Sequence, residues 1–208
     1  MPKLFLFIGV IATVSFNAKA QVTSTQRIDA SSIQLINLRL QQVAFVDIKT
    51  SDKQEIEIKT ESSGEYSQDI GLKRQIKQDE LLIESFFDSK LKEGFDKLSA
   101  TKVFSIGLHL VIPADMKVDI RTDITHIKLY GHYDAVQIEN KFGNSQLFDF
   151  QGNAQINSYS GNVYIRTSNA AIEAFTENGE KKIAKMTRKK HLIKVKTVDG
   201  NIQIESSF

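Results

Sequence analysis

The residues whose types and spacing could do chemistry fall into three groups: four histidines, a run of cations and a series of aromatics. His126 and His132 stand six apart with Asp134 close by, a spacing open to metal ligation, while His109 and His191 lie elsewhere in the chain. Zinc catalysis needs three protein ligands in tight geometry, each steadied by further partners. His126 shares a predicted outward face with Lys128 and Tyr130, so these histidines read as exposed strand residues and no metal is assigned. The chain has no cysteine, which removes thiolate metal sites, disulfides and a cysteine nucleophile. It also lacks a Gly-x-Ser-x-Gly elbow that would present a serine nucleophile. No catalytic residue and no cofactor site is therefore assigned.

The cations crowd one segment: Lys181, Lys182, Lys185, Arg188, Lys189 and Lys190, followed by Lys194 and Lys196, with Glu180 the last acid before them. Such a run suits an anionic glycan, lipid headgroup or cell-wall polymer. The plainer reading, and the one the sequence favours, is a solvated edge that blocks strand-to-strand aggregation. The aromatics include Tyr130, Phe148, Tyr164 and Phe175 at predicted outward positions, with Tyr133, Phe142, Phe150 and Tyr159 nearby. Rings on a rigid β face can stack on sugars or form a protein interface, or they can cover one another.

What must position these side chains is a repeat of nine residues. Gly143-Asn144, Gly152-Asn153 and Gly161-Asn162 follow at that interval, and Gly179 keeps the phase. In this register eight units run from Ala114 to Lys185; Met186 to Arg188 is an insertion, and two more units run from Lys189 to Ser206. Position five holds Val118, Ile127, Val136, Ser145, Ala154, Val163, Ile172, Lys181, Ile193 and Ile202. Position seven, apolar throughout, holds Ile120, Leu129, Ile138, Leu147, Ile156, Ile165, Ala174, Ile183, Val195 and Ile204. Apolar–polar–apolar is the period of a strand with one buried face. Each unit is thus a short strand and a turn, and the class is all-β.

Nine residues are too few for a full coil. Two or more units per coil would stack like on like around a continuous apolar core, giving a β-solenoid or β-helix-like single domain. A β-sandwich of hairpins is the alternative, although strict phase over eight units exceeds what hairpins require. Lys181 and Ser145 do not fit an apolar position and predict a distorted or terminal rung near 181–192. The eighth positions, Arg121, Tyr130, Glu139, Phe148, Asn157, Arg166, Phe175, Ala184, Lys196 and Glu205, predict one outward stripe of mixed chemistry. That is not the carboxylate pair glycoside hydrolysis uses. The turns Lys-Phe-Gly-Asn, Phe-Gln-Gly-Asn and Tyr-Ser-Gly-Asn lack the carboxylates of calcium-binding β-rolls and predict asparagine stacked on asparagine.

The stretch 21–113 is less regular than 114–206. Strands are expected at 32–40, 43–50, 54–60, 81–87 and 104–113, and Asp88 to Ala100 reads as a charged surface excursion. Before it all, Lys3, the apolar run Leu4 to Phe16 and Ala18-Lys19-Ala20 predict a signal peptide over 1–20. The apolar run is too short to span a bilayer, so no transmembrane segment is expected after cleavage. The 208-residue chain carries 27 Lys+Arg against 25 Asp+Glu; the leader takes Lys3 and Lys19 and no acid. The mature chain is then neutral, which argues against nucleic-acid binding.

Gly161-Asn162-Val163-Tyr164-Ile165 and Asp199-Gly200-Asn201-Ile202-Gln203-Ile204 resemble the Gly-(Asp/Asn)-Ile-x-Val strands of the bacterial putative-adhesin domain family of unknown function. Leu110-Val111-Ile112-Pro113, leading into Val118-Asp119-Ile120, is similar to that family's entry to its repeats, and Leu81-Leu82-Ile83-Glu84 to the strand before it. The resemblance covers roughly 30–208 and departs at 170, 181 and 186–191. It implies a solenoid-like fold exposed at the bacterial envelope, without established catalytic residues. The expectation is a non-enzymatic exported protein, periplasmic or at the cell surface, meeting an envelope glycan or protein partner. The competing expectation is a polysaccharide-active enzyme on the same scaffold.

Overall fold

A computed structural model describes residues 22–63, 70–87 and 105–207; the predicted leader and the predicted excursion at 88–100 lie outside the described residues. Every regular element among the described residues is a β-strand. Most join one of two series of parallel strands.

In the first series, β7 (Ser105–Pro113), β3 (Phe45–Ser51), the start of β9 (His126–Phe142), the start of β10 (Ser145–Ser160), β11 (Val163–Thr167), β15 (Ile202–Ser206) and β13 (Lys181–Ile183) are neighbours in that order, all parallel. β4 (Glu55–Ser63) runs antiparallel beside β7, and β1 (Val22–Asp29) antiparallel beside β4. In the second series, β6 (Glu80–Phe87), β2 (Leu35–Leu40), β8 (Lys117–Ile124), the end of β9, the end of β10, β14 (Arg188–Asp199) and β12 (Asn169–Asn178) are parallel neighbours. β5 (Ile70–Lys77) closes that series antiparallel to β6. β1 and β5 lie outside the expected strands; both are edge strands with mostly exposed residues and lack the buried alternation that marks the others.

The register explains the nine-residue period. Ile127 pairs with Ser145 and Ser145 with Val163 in the first series, while Val118 pairs with Val136 and Val136 with Ala154 in the second. Two units therefore make one return of the chain, and consecutive units alternate between the series. The order then breaks. Val163 pairs with Ile202 and Ile202 with Lys181; Ala154 pairs with Ile193 and Ile193 with Ile172. The last two units thus slot between the units that precede them in sequence. At the other end β2 and β3 are likewise inserted, each one strand in from β6 and β7.

Positions five and seven point inward as expected. Ile138, Ile156 and Ile165 are fully buried, and Ser145 is buried with them. Residues of both series share one apolar core with Ile36, Ile48 and Leu108. Burying each such side chain contributes roughly 1.5–3 kcal/mol. Lys181 and Ile183 are exposed because β13 is the outermost strand of its series, so the predicted terminal rung falls at 181–183. Residues 188–192 belong to an interior strand, β14, whose register against β12 shifts between the Asn169–Arg188 and Ala170–His191 pairs, the distortion expected there. Tyr133 and Phe150 stack inside at 5.6 Å, and the Tyr133 hydroxyl lies 3.1 Å from the Ile48 carbonyl. Burial pushes the Tyr133 phenol well above its ordinary range.

Candidate functional site

The predicted outward stripe divides into two, because successive units face opposite ways. On the first series Tyr130 sits opposite Phe148, and Arg166 opposite Glu205. On the second, Arg121, Glu139, Asn157, Lys196 and Phe175 follow one another across the strands. Three of the four predicted contact aromatics therefore meet, and Phe175 stands on the other face.

The three that meet largely cover one another. The Tyr130 and Phe148 rings are 5.0 Å apart and only 16° from parallel, and Tyr164 tilts against Phe148 at 5.6 Å. The Lys49 ammonium lies 5.3 Å from the Tyr130 ring centre, and the Arg166 guanidinium 5.8 Å from that of Phe148. These cations take ring faces that a sugar would need. The array is pinned at its end: Arg166 makes two hydrogen bonds to Asp149, at 2.9 and 3.1 Å, and the Tyr164 hydroxyl donates to Glu205 at 2.8 Å. Hydrogen bonds from Tyr164 first, and next from the Gln203 side-chain amide at 2.7 Å, hold the Glu205 carboxyl below the usual carboxylate range. The aromatics form a closed rib along the outside of the first series.

The basic segment is open. Lys181, Lys182, Lys185, Arg188, Lys189 and Lys190 are all exposed. Lys182 approaches Glu180 at 3.9 Å, and the Lys181 ammonium donates to the Ala174 carbonyl at 3.3 Å. Among the described residues, Lys185, Arg188, Lys189 and Lys190 form no ion pair. The backbone here is fixed: the Lys190 N–H donates to the Asn169 side chain at 3.0 Å. Beside it, burial and the Lys190 charge lower the pKa of His191. The insertion Met186 to Arg188 thus places cations on the return from the outermost strand into the stack.

The histidines are dispersed. His126 is exposed, and its Nδ1 accepts the Asn144 N–H at 3.3 Å. His109 lies between two acids, with Nδ1 3.5 Å from Asp47 and Nε2 3.7 Å from Glu61. Its two nitrogens diverge toward separate carboxylates, so the trio does not converge on one point. Glu61 is itself held by Lys59, whose hydrogen bond is the largest cause of its lowered pKa. Sequence reading missed this cluster, since β3, β4 and β7 are brought together only by long-range pairing. Among the described residues, no group of three or more His, Asp and Glu could hold a metal ion. No helix among them is long and apolar enough to cross a membrane.

On the turns, the predicted asparagine stack is present. The side-chain oxygens of Asn144, Asn162 and Asn201 accept the backbone N–H of Asn162, Asn201 and Glu180 respectively, each at 2.9 Å. Gly152-Asn153 lies at the opposite corner, where the Asn153 side chain accepts the Leu192 N–H at 3.0 Å.

These features define an all-β scaffold of short, parallel, registered strands displaying separate chemistry on its outer faces. Its fold is similar to that of a putative cell adhesion protein from Clostridium sporogenes, at a TM-score of 0.66 and 14% identity over 90% of this chain and 100% of that one. A putative adhesin from Bacteroides fragilis aligns at 13% identity over 89% of this chain and 97% of that one, with a TM-score of 0.39. A putative lipid binding protein from Parabacteroides distasonis aligns at 12% identity over 89% and 97%, with a TM-score of 0.28. The first of these shares the fold. No protein-family model matches the chain, and no curated protein does.

Proposed function

We propose that this chain is a non-enzymatic, exported binding module of the bacterial envelope, whose basic segment engages an anionic envelope polymer. The observation that carries the reading is the contrast between the two surfaces: the aromatic rib spends its ring faces on itself, whereas Lys185, Arg188, Lys189 and Lys190 lie exposed and unpaired among the described residues. Clustered like charge on a rigid support concentrates polyanions and speeds their capture. The leader at 1–20 directs the chain to the periplasm or the cell surface, and 21–208 forms one β-solenoid domain of two nonads per coil. The 18-residue register of β8 through β11 supports a solenoid over a sandwich. The likeness to the Clostridium sporogenes protein supports the fold of this reading.

The test is sedimentation with polygalacturonate, using neutral dextran as control. The unaltered protein binds the polyanion and not the dextran, and binding weakens by about tenfold in K189E/K190E and falls with added salt. Equal binding of both polymers, or no effect of the charge reversal, overturns the assignment.

A further inference from the structure

Both ends of the second strand series expose an edge: among the described residues β5 pairs only with β6, and β12 only with β14. The outward residues of β5 are Lys73, Gln75 and Lys77, opposite Glu84, Leu82 and Glu80 of β6. The outward residues of β12 are Glu173, Phe175 and Glu177; Glu173 faces Lys194 of β14 at 3.1 Å, and Phe175 faces Lys196. All six of these edge side chains are exposed, Phe175 at 51%. One edge thus reads basic–amide–basic and the other acidic–aromatic–acidic, at the same alternate spacing.

Strand direction completes the match. β6 through β12 are parallel, and β5 alone is antiparallel. A second copy shifted along the series would bring its β5 antiparallel to β12, with both outward faces on the same side. Lys73 would then oppose Glu177, Gln75 would oppose Phe175, and Lys77 would oppose Glu173. On the inward side Ile76, 50% exposed, would meet Ala174. Across the junction the rows would read Glu80 and Glu84, Lys77 and Lys73, Glu173 and Glu177, then Lys194, so the charge alternation inside each copy carries on between copies. Opposite charges directly across strands attract and like charges repel, which sets both partner and direction.

We propose that the partner of the β12 edge is the β5 edge of a second copy of this chain, so that copies add head to tail by strand pairing. Such an interface is heterologous and does not close, so it yields open rows rather than a fixed dimer.

The test is sedimentation velocity of the purified protein over a concentration series at low salt. The unaltered chain gives species that grow with concentration and dissociate as salt is raised. K73E/K77E and E173K/E177K, each checked for fold by circular dichroism, are monomeric alone, since each has two ends of the same sign. Mixed in equal amounts they assemble again, because each supplies the edge the other lacks. A monomer at every concentration, association untouched by either reversal, or a mixture that stays monomeric overturns the proposal.

Discussion

The side-chain oxygen of Asn144 accepts the backbone N–H of Asn162 at 2.9 Å, and Asn162 in turn accepts that of Asn201. A turn that would leave its amide to solvent is thereby tied to the turn beside it. Asn162→Ala removes one acceptor from the middle of this chain and costs about 1 kcal/mol. Asn162→Asp keeps the acceptor and retains most of that stability. Urea unfolding of the two variants separates the outcomes, and equal loss in both would rule out the side-chain oxygen as the cause.

Gly161 has φ +152° and stacks directly on Gly143, so that a Cβ would run into the Gly143 carbonyl. The obstacle is backbone and cannot swing aside. Gly161→Ala therefore costs about 1–3 kcal/mol from strain alone. Thermal unfolding should show a larger loss than for Asn162→Ala.

Phe45 lays its ring over Gly107, its partner across β3 and β7, and also meets the His109 ring edge-on at 5.0 Å. Phe45→Ala uncovers buried backbone and forfeits roughly 0.2–1 kcal/mol of cross-strand pairing beyond its area. Gly107→Ala drives a methyl into the ring. The double variant should be more stable than the sum of the singles predicts, since removing the ring makes room for the methyl. Additive losses in a double-mutant cycle would contradict the contact.

Glu205 is a carboxylate whose folded pKa lies below its ordinary value, so its contribution to stability is present above the ordinary carboxylate range and is lost as pH falls through the folded value. Tyr164→Phe deletes the largest cause of that shift. The Glu205 titration followed by carbon-13 NMR should move up, and the acid-side loss of stability should become smaller. An unmoved titration would dissociate the two residues.

Ser145 occupies a core position between Ile127 and Val163, and its hydroxyl is buried without a hydrogen-bond partner among the described residues. Ser145→Ala removes the unsatisfied group and should stabilise the protein by about 1 kcal/mol. A lower denaturation midpoint would mean that the hydroxyl has a partner after all.

The sequence makes the inward residues legible because the buried face repeats locally: position seven is apolar in every unit, and Ile138, Ile156 and Ile165 are buried accordingly. Lys181 also signals its place, since only an outermost strand tolerates lysine at an inward position. The order of strands leaves no such trace. Nothing in the period says that Ile202 lies between Val163 and Lys181, and the insertion at 186–188 marks a change of path without its destination. The eighth-position stripe misleads for a related reason: a period of nine does not reveal that alternate units face opposite ways. The His109 cluster and the edges of β5 and β12 are invisible until distant strands are assigned neighbours.

The inserted strands have a consequence for how the molecule is made. β14 and β15 fill a gap whose far wall, β12 and β13, is built from earlier residues. A chain emerging from its N-terminus cannot place β14 and β15 by adding one more layer on top. It must hold a slot ajar until β14 and β15 arrive, so the stack locks only once residues 188–206 have been delivered.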